Sequence, residues 1–176
     1  MENKIYTISI TSPSGGGKTT ITNLLKNKLQ KSIVLYFDNY DFLDDPGDNQ
    51  FNEELIQYDY NKWELVPLKN DIEKILLEND HKYLLLDYPF SYCNDRIKPY
   101  IDFSVYIDTP LDIAMARRII RDCSKDIDIK NDMEIYLKYG RIGYTDMEKY
   151  VKPTCDLIID GNNTPENIIE IILEKK

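Results

Sequence analysis

One histidine and three scattered cysteines leave this chain of 176 residues with little nitrogen or sulfur chemistry to offer. His81 lies in Glu-Asn-Asp-His-Lys, between an expected helix and an expected strand, and reads as a solvated turn residue. A histidine general base is therefore not part of the chemistry. Cys93, Cys123 and Cys155 are odd in number, widely spaced and without a C-x-x-C pair, which excludes both a disulfide framework and a zinc site. They read as reduced, partly buried thiols. Positive charge is also short, with 22 Lys and Arg against 31 Asp and Glu and a net charge of −9, so no broad basic face can neutralise a polynucleotide. No nucleic-acid partner is expected. No apolar run approaches the roughly 20 residues of a membrane span, and Met-Glu-Asn-Lys-Ile-Tyr enters the first strand without a leader, so no membrane association is expected and the cytoplasm is the expected compartment. Lacking repeats and Pro/Gly/Ser-rich linkers, residues 1–176 read as one domain.

Glycine is scarce too, seven in all, yet three stand together at 15–17. They sit in Ile8-Ser-Ile-Thr-Ser-Pro-Ser-Gly-Gly-Gly-Lys-Thr-Thr-Ile-Thr-Asn-Leu24, where an apolar strand over 5–10 runs through a turn into a helical stripe of Ile21, Leu24, Leu25 and Leu29. Glycines let backbone N–H groups approach an anion, and a helix starting near Lys18 aims its positive end at the same point. This is a phosphate-binding loop of the G-x-x-x-x-G-K-[ST] kind with Ser12 in place of the first glycine. Ser14, Gly15, Gly16, Gly17, Lys18, Thr19 and Thr20 are the candidate nucleotide contacts, with Lys18 on the β- and γ-phosphates and the Thr19 hydroxyl on Mg²⁺. ATP and Mg²⁺ are the expected ligands.

Periodicity gives a strand over 32–37 ending at Asp38, a helix over 66–79, strands over 83–87 and 103–108 that both end in Asp, and a helix opened by Thr109 and Pro110 and running to about Asp122. Helices over 131–139 and 145–151, a strand over 156–160, and a last helix with Thr164 as N-cap and Pro165 at N1 complete the order. Alternating strands and helices predict a three-layer α/β fold of the P-loop NTPase, nucleoside/nucleotide kinase-like kind, its mostly parallel sheet flanked by helices. In such a sheet the ligand crevice lies at the carboxyl ends of the strands, so the phosphate loop, Asp38, Asp87 and Asp108 are expected on one rim, with the strand over 32–37 beside the phosphate-loop strand.

Other P-loop classes fit less well. Asp44-Asp-Pro-Gly47 and Asn61-Lys-Trp-Glu64 mimic GTPase motifs but both precede the strand they should follow. Ala114-Met-Ala-Arg-Arg-Ile-Ile-Arg-Asp122 favours a kinase: Arg117 and Arg121 share a helix face, with Arg118 about 100° away. Three guanidiniums in an acidic chain make a local anion site of the kind phosphoryl transfer needs. A nucleoside monophosphate kinase would need a further anion site, for which Arg96, Lys98 and Arg141 are the candidates. A regulatory nucleotide binder without kinase activity would need neither Asp38 nor the arginines.

The chain resembles the uridine kinase-like branch of P-loop nucleoside kinases in four places: Ser12 to Thr19; Val34-Leu-Tyr-Phe-Asp38; Ala116-Arg-Arg-Ile-Ile-Arg-Asp122, similar to the family's R-R-x-x-R-D lid helix; and Tyr150-Val-Lys-Pro-Thr154 with Asp156-Leu-Ile-Ile159. The resemblance implies ATP-dependent phosphorylation of a hydroxyl on a small-molecule acceptor, most plausibly a nucleoside. It makes Asp38 the residue that accepts or orients the attacking proton, Arg117, Arg118 and Arg121 the grip on the transferring group, Thr19 and Asp87 the metal ligands, directly or through water, and 161–165 the adenine-side loop. Departures fall at Asp87-Tyr-Pro-Phe90, where the family has Glu-Gly, at Ser124-Lys-Asp-Ile-Asp128, and at Tyr58-Asp-Tyr-Asn-Lys-Trp63, the counterpart of its nucleoside segment. Asp59 and Trp63 are thereby substrate candidates. Tyr92 joins them from an aromatic cluster that also holds Tyr36, Tyr40, Tyr58, Tyr60 and Tyr88. A homo-oligomer is compatible with all of this.

Overall fold

The computed structural model describes residues 4–42, 59–123 and 125–176; the GTPase-like Asp44 to Gly47, Tyr58 and Ser124 lie outside them. Five strands, β1 (Tyr6–Thr11), β2 (Ser32–Tyr36), β3 (Tyr83–Asp87), β4 (Phe103–Asp108) and β5 (Leu157–Asp160), form one sheet in the order β2-β3-β1-β4-β5. All pairings are parallel. Parallel order carries every strand's carboxyl end to one edge, and register aligns Ile10 of β1 and Tyr36 of β2 with Asp87, and Asp108 with Asp160. The sheet order corrects one expectation: β3 separates β2 from the phosphate-loop strand.

The sheet's two faces differ in chemistry. Ile8, Ile10, Val105 and Ile107 point to one face and pack with Ile21 and Leu25 of α1 (Lys18–Lys28) and with Ile168, Ile169 and Ile172 of α6 (Pro165–Lys175). On the other face, Leu84 and Leu86 of β3 pack under Leu68, Ile72 and Ile75 of α2 (Val66–Glu78). Farther along that face the alternation of β1 and β4 places Thr7, Ser9, Thr11, Ser104 and Tyr106, all buried. A central parallel strand is usually apolar on both sides. Here half of one face is polar.

After β4, Pro110 caps α3 (Leu111–Asp122), and Thr109, expected as the cap, instead donates its hydroxyl to the Gly16 carbonyl at 2.8 Å. The two helices expected over 131–139 and 145–151 are segments of one helical run: α4 (Asp126–Ile135), a wide π turn over Tyr136–Gly140, α5 (Arg141–Asp146) and a second π turn over Met147–Val151. Thr164 caps α6 as expected, accepting from the Asn167 N–H at 3.3 Å. His81 is half-buried rather than solvated, its Nδ1 without a partner among the described residues. The cysteines are free and half-buried. No helix of the described residues is long and apolar enough to cross a membrane.

Candidate active site

The phosphate loop owes its shape to two glycines with left-handed backbone, Gly15 at φ 82° and Gly17 at φ 106°. Gly17 is the N-cap of α1, no side chain caps that end, and no acidic residue occupies its first turn. The first N–H groups of the helix therefore lack partners among the described residues and face the cleft, which is what an anion site requires. Ser12, in the place of the usual glycine, is fully buried and donates to the Pro13 carbonyl at 3.0 Å. Gly15 lies against α3, where a Cβ would come within 2.0 Å of the Ala114 carbonyl oxygen. Gly161 is equally confined, since a Cβ there would meet Thr109 Oγ1 at 1.9 Å.

Gly15→Ala is expected to destabilise the fold by about 2 kcal/mol or more, because it adds a backbone clash to a left-handed φ. Gly17→Ala meets nothing within 4 Å and carries the φ strain alone, about 1 kcal/mol. Urea midpoints of the two variants check the order.

A cleft of about 300 Å³ opens over this loop, lined by the loop residues 14–20, by Asp38, by Arg117 and Arg121, and by Ile107, Gly161, Asn163, Pro165 and Ile168 on the far wall. Thus the loop over 161–165, expected beside adenine, borders the cleft. Ile107 and Ile168 also line it; nothing in their apolar strand and helix patterns separated them from ordinary core residues. Lys18 is nearly buried, its ammonium 3.7 Å from an Asp87 carboxylate oxygen, and Thr19 donates its hydroxyl to Asp87 at 2.6 Å. Burial pushes the Asp87 carboxyl up, and Lys18 pulls it back only in part.

Hard oxygen donors suit Mg²⁺, and the Thr19 hydroxyl beside a buried carboxylate is such a set. Among the described residues no group of three His, Cys, Asp or Glu forms a metal cage. Magnesium at nucleotide sites is normally held by one or two carboxylates, with phosphate oxygens and water completing the shell. The residues present fit that arrangement.

The arginines part company. Arg117 and Arg121 line the cleft; Arg121 holds Asp122 through Nε at 2.6 Å and reaches the Ser14 hydroxyl at 3.5 Å. Arg118 turns the other way, with its guanidinium 2.5 Å from Asp132 and 5.8 Å from the Tyr136 ring centroid. It ties α4 to α3 and is not brought to the cleft, the outcome of its 100° offset on the helix.

Three substrate candidates do not line this cleft. Tyr92 donates to Asp156 at 2.6 Å, and Asp156 accepts from the Ser104 N–H, so Tyr92 sits at the amino end of β4, opposite the phosphate loop. The cause is the chain after β3: Thr11 holds the Tyr88 carbonyl, Ser91 turns at φ 49°, and the Ser91 and Ser104 hydroxyls meet at 2.7 Å, folding the segment back along the polar face. Trp63 packs among Phe37, Phe42 and Phe90 as part of the core. Asp59 caps the short turn Tyr60–Lys62, accepting from the Asn61 N–H at 3.1 Å. Arg96, a candidate for a second anion site, is paired with Glu64 at 2.5 Å; neither it, Lys98 nor Arg141 lines the cleft.

A parallel sheet of this order, with a phosphate loop leaving its central strand and arginines facing that loop, is the architecture of P-loop kinases that act on small molecules. Solved structures share the fold: a possible uridine kinase from Bacillus stearothermophilus superposes with a TM-score of 0.55 at 18% identity, over 89% of each chain. The deoxyadenosine kinase from M. mycoides does so with a TM-score of 0.55 at 15% identity, over 96% of this chain and 97% of that one. The family model described as Phosphoribulokinase / Uridine kinase family matches residues 50–163. A protein named uridine kinase from Borrelia turicatae is 31% identical over 176 residues, covering 86% of this chain and 84% of its own. The chain belongs to the phosphoribulokinase/uridine kinase family and is a small-molecule kinase.

Proposed function

We propose that this chain, acting as a single domain, transfers the γ-phosphoryl group of ATP to a hydroxyl of a nucleoside. The observation that carries the reading is the meeting, across one cleft, of Asp38 with Arg121 above the phosphate loop. Lys18 and the free N–H groups of α1 bind and orient the triphosphate. Magnesium, when bound at Thr19 and Asp87, supplies neutralisation of the phosphate charge. Asp38 lies on the turn Phe37–Asn39 just past β2, exposed, and caps no helix end among the described residues. Its carboxylate is free to take the proton of an acceptor hydroxyl aimed at the γ-phosphate. Arg117 and Arg121 hold the equatorial oxygens as charge redistributes, a contribution of roughly 10³ to 10⁵ in rate in related phosphoryl transfers. Relatives named uridine kinase favour a nucleoside as the acceptor.

An ADP-release screen across nucleosides, nucleoside monophosphates, sugars and vitamin precursors tests this directly. The reading expects Mg²⁺-dependent turnover on at least one nucleoside, above the rate on its monophosphate. Turnover confined to monophosphates, or none at all, overturns it.

A further inference from the structure

We propose that the phenol hydroxyls of Tyr60, Tyr88 and Tyr106 line the acceptor subsite and hydrogen-bond hydroxyl or carbonyl groups of an uncharged acceptor. The inference rests on the kinase reading above and adds to it the groups that recognise the acceptor.

All three hydroxyls are buried without a hydrogen-bond partner among the described residues, and the Tyr88 and Tyr106 residues are 0% and 1% exposed. Buried hydroxyls are nearly always paired, so three orphans on one face of one sheet call for a cause. They lie together. The Tyr60 and Tyr88 rings pack on Phe90, with centroids at 5.0 and 5.5 Å. Cys93 is a shared electrostatic neighbour of their hydroxyls, and Tyr60 is likewise a neighbour of Tyr106. The Phe37 ring stands 6.0 Å from Tyr88, and Asp38, which lines the cleft, follows Phe37 in the chain.

Strand alternation explains how Tyr106 arrives there, because it points with Ser104 to the polar face while Val105 and Ile107 fill the apolar one. The roof is the second π turn, whose Met147 and Val151 are buried. Asp146, the last residue of α5, and Glu148 of that turn are electrostatic neighbours of Tyr60 and Tyr106. One nearby cation, Lys152, lies 6.0 Å from the Tyr106 ring centroid and is already bound to Asp108 at 2.6 Å. A neutral acceptor with several hydroxyls would meet matching donors and acceptors in these phenols. Burial raises all three phenols, so they remain protonated donors at any working pH.

A hydroxyl kept unpaired for a ligand has a distinctive signature on removal: stability holds or rises while acceptor binding falls. Tyr88→Phe and Tyr106→Phe are therefore compared with wild type, using whichever of uridine, cytidine, adenosine or guanosine the wild type phosphorylates fastest. Each variant should keep or raise the melting temperature and leave KM for ATP unchanged. KM for the nucleoside should rise about three- to tenfold, the loss of one neutral hydrogen bond. Tyr60→Phe should behave alike. If KM for the nucleoside does not move, or if melting temperature falls and both KM values shift together, the hydroxyls serve packing or a buried water and the inference is overturned. If the wild type phosphorylates none of the four, the nucleoside reading fails first and this inference falls with it.

Discussion

Lys18→Ala is expected to lower kcat by about 10²- to 10³-fold, the cost of removing one positioned donor from a developing anion, and to weaken ATP binding in a calorimetric titration. The side chain does two things, which makes the variant informative. Besides lining the cleft from the first residue of α1, it lies 3.7 Å from Asp87, a carboxylate 4% exposed. Removing the ammonium leaves Asp87 with the Thr19 hydroxyl, and stranding a buried charge costs on the order of 3 kcal/mol. Stability and catalysis are separable by adding Asp87→Asn. The double variant should recover most of the urea midpoint and none of the turnover. Wild-type ATP affinity and rate in Lys18→Ala would remove the phosphate loop from the mechanism.

Asp38→Asn should keep ATP affinity and lose phosphoryl transfer by roughly 10² or more, the scale of a general-base contribution. The amide keeps the shape of the side chain and gives up its charge. Because Asp38 is exposed and caps nothing, the substitution should leave the melting temperature unchanged within about a degree, consistent with surface changes of under ~0.5 kcal/mol. A loss of rate therefore reads as chemistry. A variant that phosphorylates its nucleoside at nearly the wild-type rate would show that Asp38 is not the base.

The phosphate loop could be read from the sequence because its requirements are local: Gly15 and Gly17 need left-handed backbone, and the uncapped end of α1 needs no residue from afar. Asp87 was legible for a similar reason, as the carboxylate that ends an apolar strand. The arginine helix was legible only in part. Four-residue spacing put Arg117 and Arg121 on the cleft side, but the partner that claims Arg118, Asp132, lies on another helix. The positions of Tyr92 and Trp63 were hidden because they depend on contacts distant in sequence, Thr11 to Tyr88 and Ser91 to Ser104 among them. The sheet order was equally hidden, since β2 and β3 have similar apolar patterns and only the packed sheet separates them. The polar half of the sheet was written plainly in Thr7, Ser9 and Thr11, yet alternation in a strand flanked on both sides gives no hint that it borders a site.

The two π turns over Tyr136–Gly140 and Met147–Val151 act on the helix as a change of phase. A π turn is in effect one residue added to an α-helical run, and each residue of an α-helix advances the side-chain direction by about 100°. Without the first turn, the side chains after Gly140 would face about 100° away from their present directions, carrying Met147 and Val151 out of their buried positions. The segment would still be a helix of the same hydropathy, but it would present its charged flank to the polar face. What fits this roof to its sheet is thus a count of residues, and length changes between 136 and 151 should be tolerated far less well than substitutions at the exposed Leu137 and Ile142.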